Sequence, residues 1–199
     1  DLEALKKALR KDTLMVSIMC VNNEIGAIEP VEEIGKIVKS FDPKIVFHTD
    51  CIQAYGKLNC YPKKWKADMI SVSGHKIHGP KGIGFIYIKN GTKIKPIIWG
   101  GNQQKGMRSG TENVPGIAGL GKAAELIYEN HEEKIAHIRE IKDHFIKRVM
   151  EEIPDVKDNS GDAPHVASIS FLGVRSEVLL HALEEREIYV SAGSACSSN

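Results

Sequence analysis

Ser73, His75 and Lys76 stand almost side by side in Ser71-Val-Ser-Gly-His-Lys-Ile-His-Gly-Pro-Lys-Gly-Ile-Gly84, where an apolar run stops at a polar, glycine-punctuated turn. A hydroxyl, an imidazole and an amine on one turn form an active-site layout. The amine is the most telling of the three. Between two short apolar runs a lysine is partly desolvated, which disfavours the ammonium and frees the neutral amine to add to a carbonyl and form a Schiff base. The competing reading is a buried, paired lysine with a structural role. His75 and His78 are three apart, but no third ligand follows at metal-site spacing and Pro80 opposes a helix that would present both, so no metal is expected. Gly79-x-x-Gly82-x-Gly84 fits neither the dinucleotide fingerprint nor the phosphate-binding loop.

The elements that must hold this turn follow from hydrophobic periodicity. Leu2, Leu5 and Leu9 give a short helical stripe. Leu14 to Met19 reads as a buried strand running into the polar turn Val21-Asn-Asn-Glu-Ile-Gly26. Pro30, at a first helical position, opens a helix with Val31, Ile34, Ile37, Val38 and Phe41 on one face, closed by Asp42-Pro43. Lys44 to Thr49 is the next strand and ends at Asp50; Met69 to Val72 is a third; Ile83 to Ile88 is a fourth, so that Lys76 lies between two core strands. Strands joined by helical or long crossovers, each ending in a polar residue, describe a mostly parallel α/β sheet with its site at the carboxyl ends. A long glycine-rich loop, Gly100 to Thr111, is suited to binding. Two helical stripes then follow, Ile117 to Ile127 and Ile135 to Val149, with a domain boundary between them. Residues 156 to 165 are polar and turn-rich, 166 to 171 read as a strand, and Ser176 is a candidate cap for a last helix.

An amine that forms a Schiff base, with a carboxylate ending a neighbouring strand, meets the requirements of pyridoxal 5'-phosphate: the lysine holds the aldehyde and the carboxylate keeps the ring nitrogen protonated. Asp50 fits the second role, although an aspartate after a strand is more often a turn or cap residue. Ser73 and His75 suit the phosphate, and Gln53 and Asn23 suit the phenolic oxygen.

Val21-Asn-Asn-Glu-Ile-Gly26, His48-Thr-Asp50 with Gln53, the stretch from Ser73 to Gly84, Gly106-Met-Arg-Ser-Gly-Thr111 and Ser191-Ala-Gly-Ser-Ala-Cys-Ser197 together resemble the cysteine desulfurases that supply sulfur for iron-sulfur cluster assembly, and the match runs from end to end. The resemblance implies an aminotransferase-like type I fold: residues 1–130 as the second half of the large cofactor-binding domain, and 131–199 as the first part of a smaller α+β domain. It implies a homodimer, pyridoxal phosphate on Lys76, and release of L-alanine from L-cysteine with sulfur passed to Cys196 as a persulfide. By motif position Asp50 meets the ring nitrogen, Asn23 and Gln53 the phenolic oxygen, Ser73 and His75 the phosphate, and Thr111 the phosphate of the partner subunit's cofactor. An iron-sulfur scaffold or other sulfur acceptor is the implied protein partner. The alternatives are another type I enzyme, such as a selenocysteine lyase or an aminotransferase, or a chain kept only for dimerisation or scaffold binding. In the family a ring-stacking histidine and part of the phosphate cup lie ahead of residue 1, and a carboxylate-binding arginine lies beyond Asn199. The chain is therefore expected to be the central half of such an enzyme, to bind cofactor weakly or not at all on its own, and to turn over no cysteine.

Lysine plus arginine (27) nearly balance aspartate plus glutamate (26), with no basic block, so neither a nucleic acid nor a membrane partner is expected. No apolar stretch reaches spanning length and the charged start lacks a signal-peptide core, which makes the cytoplasm the expected location. Cys20, Cys51, Cys60 and Cys196 form no Cys-x-x-Cys pair and read as free thiols. Cys51 reads as packing, whereas Cys196, among glycine, alanine and serine, has the accessibility and mobility a sulfur acceptor needs.

Overall fold

A computed structural model describes residues 1–193, and Cys196 lies outside the described residues. The chain forms two compact units, one of residues 1–20 and 30–129, the other of residues 21–29 and the chain from Asn130 on.

The first unit is built on a four-stranded sheet. Its elements in chain order are α1 (Leu2–Ala8), β1 (Met15–Met19), α2 (Val31–Phe41), β2 (Val46–Asp50), β3 (Met69–Ser73), β4 (Gly84–Ile88) and α3 (Val114–Tyr128). The strands lie in the order β1-β2-β3-β4, parallel from β1 to β3 and antiparallel between β3 and β4. In β2 the alternation is strict: Phe47 and Thr49 are buried, while His48 and Asp50 on the opposite face are half-buried. α2 covers the Phe47 face with Val31, Ile34, Gly35 and Val38. Position 35 must be glycine, because a Cβ there would stand 1.9 Å from the Trp65 carbonyl oxygen and 3.1 Å from the Phe47 ring. Glu32 and Glu33 in the first turn suit the helix dipole. Pro30 is the residue before the helix rather than its first, and it makes no side-chain cap.

Among the described residues β4 pairs with β3 alone, and Phe85 (39%) and Ile86 (50%) on it are exposed. Lys76 lies between these two strands, as expected.

The second unit comprises α4 (His131–Glu152), β5 (Val156–Asp158), β6 (Ile169–Phe171), α5 (Ser176–Glu184) and the turn at 21–29. β5 and β6 pair antiparallel, Val156 opposite Phe171. The start of the stretch read as turn-rich is thus a strand, made so by a partner distant in sequence. The 21–29 turn is tied in by the Gly161 N–H to the Ile25 carbonyl (2.6 Å) and the Ala163 N–H to the Gly26 carbonyl (2.9 Å). Gly26, at φ +71°, abuts Val166 and Ala163. Ser176 begins α5 as a helical residue, with Arg175 before it and no side-chain cap. Among the described residues no helix is long and apolar enough to cross a membrane.

Candidate active site

β2 and β3 end side by side, and the candidate residues hang from those ends. Asp50 closes β2, opposite Met19 of β1 and Ser71 of β3. Its carbonyl accepts the Cys20 N–H (2.8 Å), and its Oδ1 accepts the Ile52 N–H (2.8 Å), which leaves Oδ2 without a partner among the described residues. The chain then turns sharply through Cys51, placing Gln53, half-buried, three residues on.

Ser73 closes β3, and a 3-10 turn, Gly74–Ile77, carries His75 and Lys76. The turn is held from both sides. Gly74 donates to the Ile83 carbonyl (2.9 Å) and Gly79 donates back to the Gly74 carbonyl (2.9 Å). Ile77 is buried against Leu120 and Ala123 of α3. At Gly74 a Cβ would stand 3.1 Å from both Ile83 and Leu120, so any side chain there would have to push these neighbours aside. His78 ends the turn in the left-handed region at φ +63°. Ser73 Oγ and His75 Nδ1 are 2.7 Å apart, so hydroxyl and ring face the same space; His75 is exposed and Lys76 half-buried.

The remaining predicted residues are placed differently. Thr111 is exposed in the loop before α3, in the same unit. That loop is stitched by Ser109, whose Oγ donates to the Gly101 carbonyl (3.1 Å), and by the Gly110 N–H to Gln103 Oε1 (3.2 Å). Asn23 is exposed in the 21–29 turn of the second unit, where its neighbour Asn22 fixes the turn by accepting from the Glu24 and Ile25 N–H groups at 2.9 Å each.

Two features escaped the sequence reading. His48 bridges the sheet on the Asp50 face: its Nδ1 lies 2.7 Å from Ser17 Oγ on β1 and its Nε2 3.2 Å from Ser71 Oγ on β3. Burial lowers the His48 pKa, and the nearby Asp50 carboxylate opposes that shift. Its signal was the parity of His48 with Asp50, which became meaningful only once the strand register was known. The second is Lys57, whose Nζ donates to the main-chain carbonyl of Lys76. Cys51, fully buried, has its thiol pKa pushed up by hydrogen bonding to Cys20 and Cys60 and by burial, which keeps it protonated and suits packing.

The donor set fits pyridoxal phosphate. An amine, a carboxylate and a hydroxyl–imidazole pair occupy the ends of adjacent parallel strands, where such folds place ligands. A cysteine desulfurase IscS of Dictyoglomus turgidum is 46% identical over 202 residues, covering 100% of this chain and 51% of that protein. The one from Methanosarcina thermophila is 43% identical over 200 residues, 99% of this chain and 49% of that protein. Among solved structures a NifS-like protein superposes with a TM-score of 0.92 at 39% identity, over 96% of this chain and 53% of that one. A NifS-like protein from Rickettsia africae gives 0.88 at 33% identity, over 97% and 54%. The chain spans about half the length of the curated relatives it matches. Its fold is the corresponding part of the type I fold of pyridoxal-phosphate enzymes. The aminotransferase class-V pattern matches residues 1–199, and this chain therefore belongs to the class-V aminotransferase family, whose cysteine desulfurases depend on pyridoxal phosphate.

Proposed function

We propose that the protein is a pyridoxal-phosphate-dependent cysteine desulfurase. The observation that carries this reading is the juxtaposition of Asp50 at the end of β2 with Ser73, His75 and Lys76 at the end of the adjacent β3. Lys76 would hold the cofactor's aldehyde carbon, Asp50 its ring nitrogen, Gln53 and Asn23 its phenolic oxygen, and Ser73 and His75 its phosphate. Bound there, the cofactor supplies an electron sink conjugated to the α-carbon of L-cysteine. Lys76 takes and returns the α-proton, as a half-buried amine at the foot of the site can. Cys196 attacks the substrate sulfur; the Cβ–S bond breaks, its electron pair stays with carbon, which takes a proton to become the methyl of L-alanine, and the sulfur remains on Cys196 as a persulfide.

Residues 1–130 serve as the second half of the large cofactor-binding domain and 131–199 as the start of the small one. The working form is a cytoplasmic homodimer in which Thr111 reaches the phosphate of the neighbour's cofactor. The exposure of Ile97 (92%) and Trp99 (75%) ahead of the Thr111 loop supports a covered surface there. An iron-sulfur scaffold or another sulfur-acceptor protein takes the persulfide. The test is to assay sulfide and alanine from L-cysteine with a reductant in the full-length protein, alongside Lys76→Ala and Cys196→Ser. Loss of both products in Lys76→Ala, and of persulfide in Cys196→Ser, is expected. Transamination without sulfur release, or full persulfide yield in Cys196→Ser, overturns the reading.

A further inference from the structure

Lys57 belongs to the turn that begins at Asp50, yet it reaches the turn that carries Lys76. The segment winds tightly, with the Tyr55 N–H on the Cys51 carbonyl (2.8 Å) and the Leu58 N–H on the Ala54 carbonyl (2.8 Å). Gly56, at φ +78°, sits so close to Ile77 and Ile127 that a Cβ would come within 2.9 Å and 3.0 Å of them, and its N–H donates to the Tyr128 hydroxyl (3.2 Å). These contacts aim the next side chain. Lys57 runs inward, half-buried, and its Nζ donates to the Lys76 carbonyl. That carbonyl is near the end of a one-turn helix, where such groups lack intrahelical donors. No carboxylate pairs with Lys57 among the described residues. A lysine brought in from water without a counter-ion is costly, and its compensation here is the carbonyl of the residue proposed to hold the cofactor.

We propose that Lys57 is a positioning residue for Lys76: it locks the Gly74–Ile77 turn through the Lys76 carbonyl and ties it to the turn that follows Asp50. This rests on the reading of Lys76 and Asp50 as the two residues that grip opposite ends of one ring. The lock makes their separation a property of one short segment, residues 50–57, rather than of the two strand ends independently. A charge-assisted hydrogen bond to a carbonyl is among the stronger ones available. Placement of the attached amine is the quantity to which catalysis is most sensitive.

The charged group that faces Lys57 is Lys76 on the 3-10 turn, and the Tyr128 hydroxyl of α3 meets the neighbouring Gly56 N–H. Burial, reinforced by the Lys76 charge, lowers the Lys57 pKa, so the charged form of the lock is lost at lower pH than for an ordinary lysine. An arginine keeps its charge throughout that range. The experiment compares full-length wild type with Lys57→Met and Lys57→Arg. Hydrogen exchange in the cofactor-free protein is the first readout. Amides of residues 77–79 are expected to exchange about ten-fold faster in Lys57→Met, the loss expected for a hydrogen bond to a charged group, while β1 and β2 stay protected. Pyridoxal phosphate affinity is the second: weaker by about ten-fold in Lys57→Met, and in Lys57→Arg near wild type at neutral pH with its alkaline decline moved to higher pH. Unchanged exchange at 77–79 in Lys57→Met, or superimposable alkaline limbs for wild type and Lys57→Arg, overturns the proposal. If Lys57→Met loses protection throughout the sheet, the alkaline limb of Lys57→Arg decides. Because exchange is read without cofactor, a wild type that takes up no pyridoxal phosphate would overturn the functional reading while leaving the lock separately measurable.

Discussion

Ser73 Oγ and His75 Nδ1 lie 2.7 Å apart across Gly74, so the last residue of β3 and the second residue of the 3-10 turn form one polar unit ahead of Lys76. Each side chain restrains the other. Ser73→Ala and His75→Ala are each expected to weaken pyridoxal phosphate binding by about 1 kcal/mol. The double variant is expected to lose less than the sum, by about 0.5 kcal/mol or more, because the partner's alignment is already gone in either single variant. Spectroscopic cofactor titration of the four proteins measures this, and strict additivity would show that the two act independently.

Asp50→Asn keeps an oxygen to accept the Ile52 N–H but removes the charge. Thermal stability is expected to change little, while turnover of L-cysteine falls by about 100-fold or more. The same variant has a readout at His48. Burial depresses the His48 pKa and the Asp50 charge raises it, so removing that charge pushes the pKa further down. A depressed folded-state pKa means His48 contributes stability that is present above its unfolded value, about 6.5, and is lost as pH falls through the folded pKa. NMR titration of the His48 ring in wild type and Asp50→Asn checks the direction; an upward shift would refute it.

Thr49 is fully buried on the α2 side of β2, and its hydroxyl has no hydrogen-bond partner among the described residues. Valine has nearly the same shape and no group to desolvate. Thr49→Val is expected to stabilise the protein by about 1 kcal/mol, roughly 2–4 °C in melting temperature. A destabilised variant in calorimetry would mean that the hydroxyl is satisfied.

Asp68, 7% exposed, anchors the start of β3: it pairs with Lys39 of α2, accepts the Phe47 N–H at 2.9 Å, and lies 3.5 Å from Lys89 beyond β4. Burial raises its pKa, but Lys39, the Phe47 N–H and Lys89 outweigh this, and the net shift is downward. The stability it contributes is therefore present above the unfolded value, about 3.9, and lost as pH falls through the lower folded pKa. Asp68→Asn is expected to cost about 3 kcal/mol at pH 7, since it leaves the Lys39 ammonium, 12% exposed, with carbonyl partners but no carboxylate. The gap from wild type should close in urea melts at pH values below about 3.9; a gap of equal size there would show that charge is not the cause.

The grouping of the candidate site residues was legible in the sequence because they are contiguous or end an apolar run. Ser73, His75 and Lys76 share one turn, Asp50 closes a strand whose alternation is written in Val46 to Thr49, and Gly74 marks the bend between them. Local patterns of this kind record backbone direction and burial, and these determine strands, helices and the end of the sheet that carries the site. Tertiary structure alone decided which distant side chains meet. The Ser17–His48–Ser71 bridge requires a register across three strands, and strand register is set by packing rather than by any one strand's pattern. β5 exists because β6 returns to meet it. Lys57 and Lys76 are nineteen residues apart in sequence, and the hydrogen bond between them follows from a glycine's positive φ beside Ile77, a contact that exists only once the chain has folded back on itself.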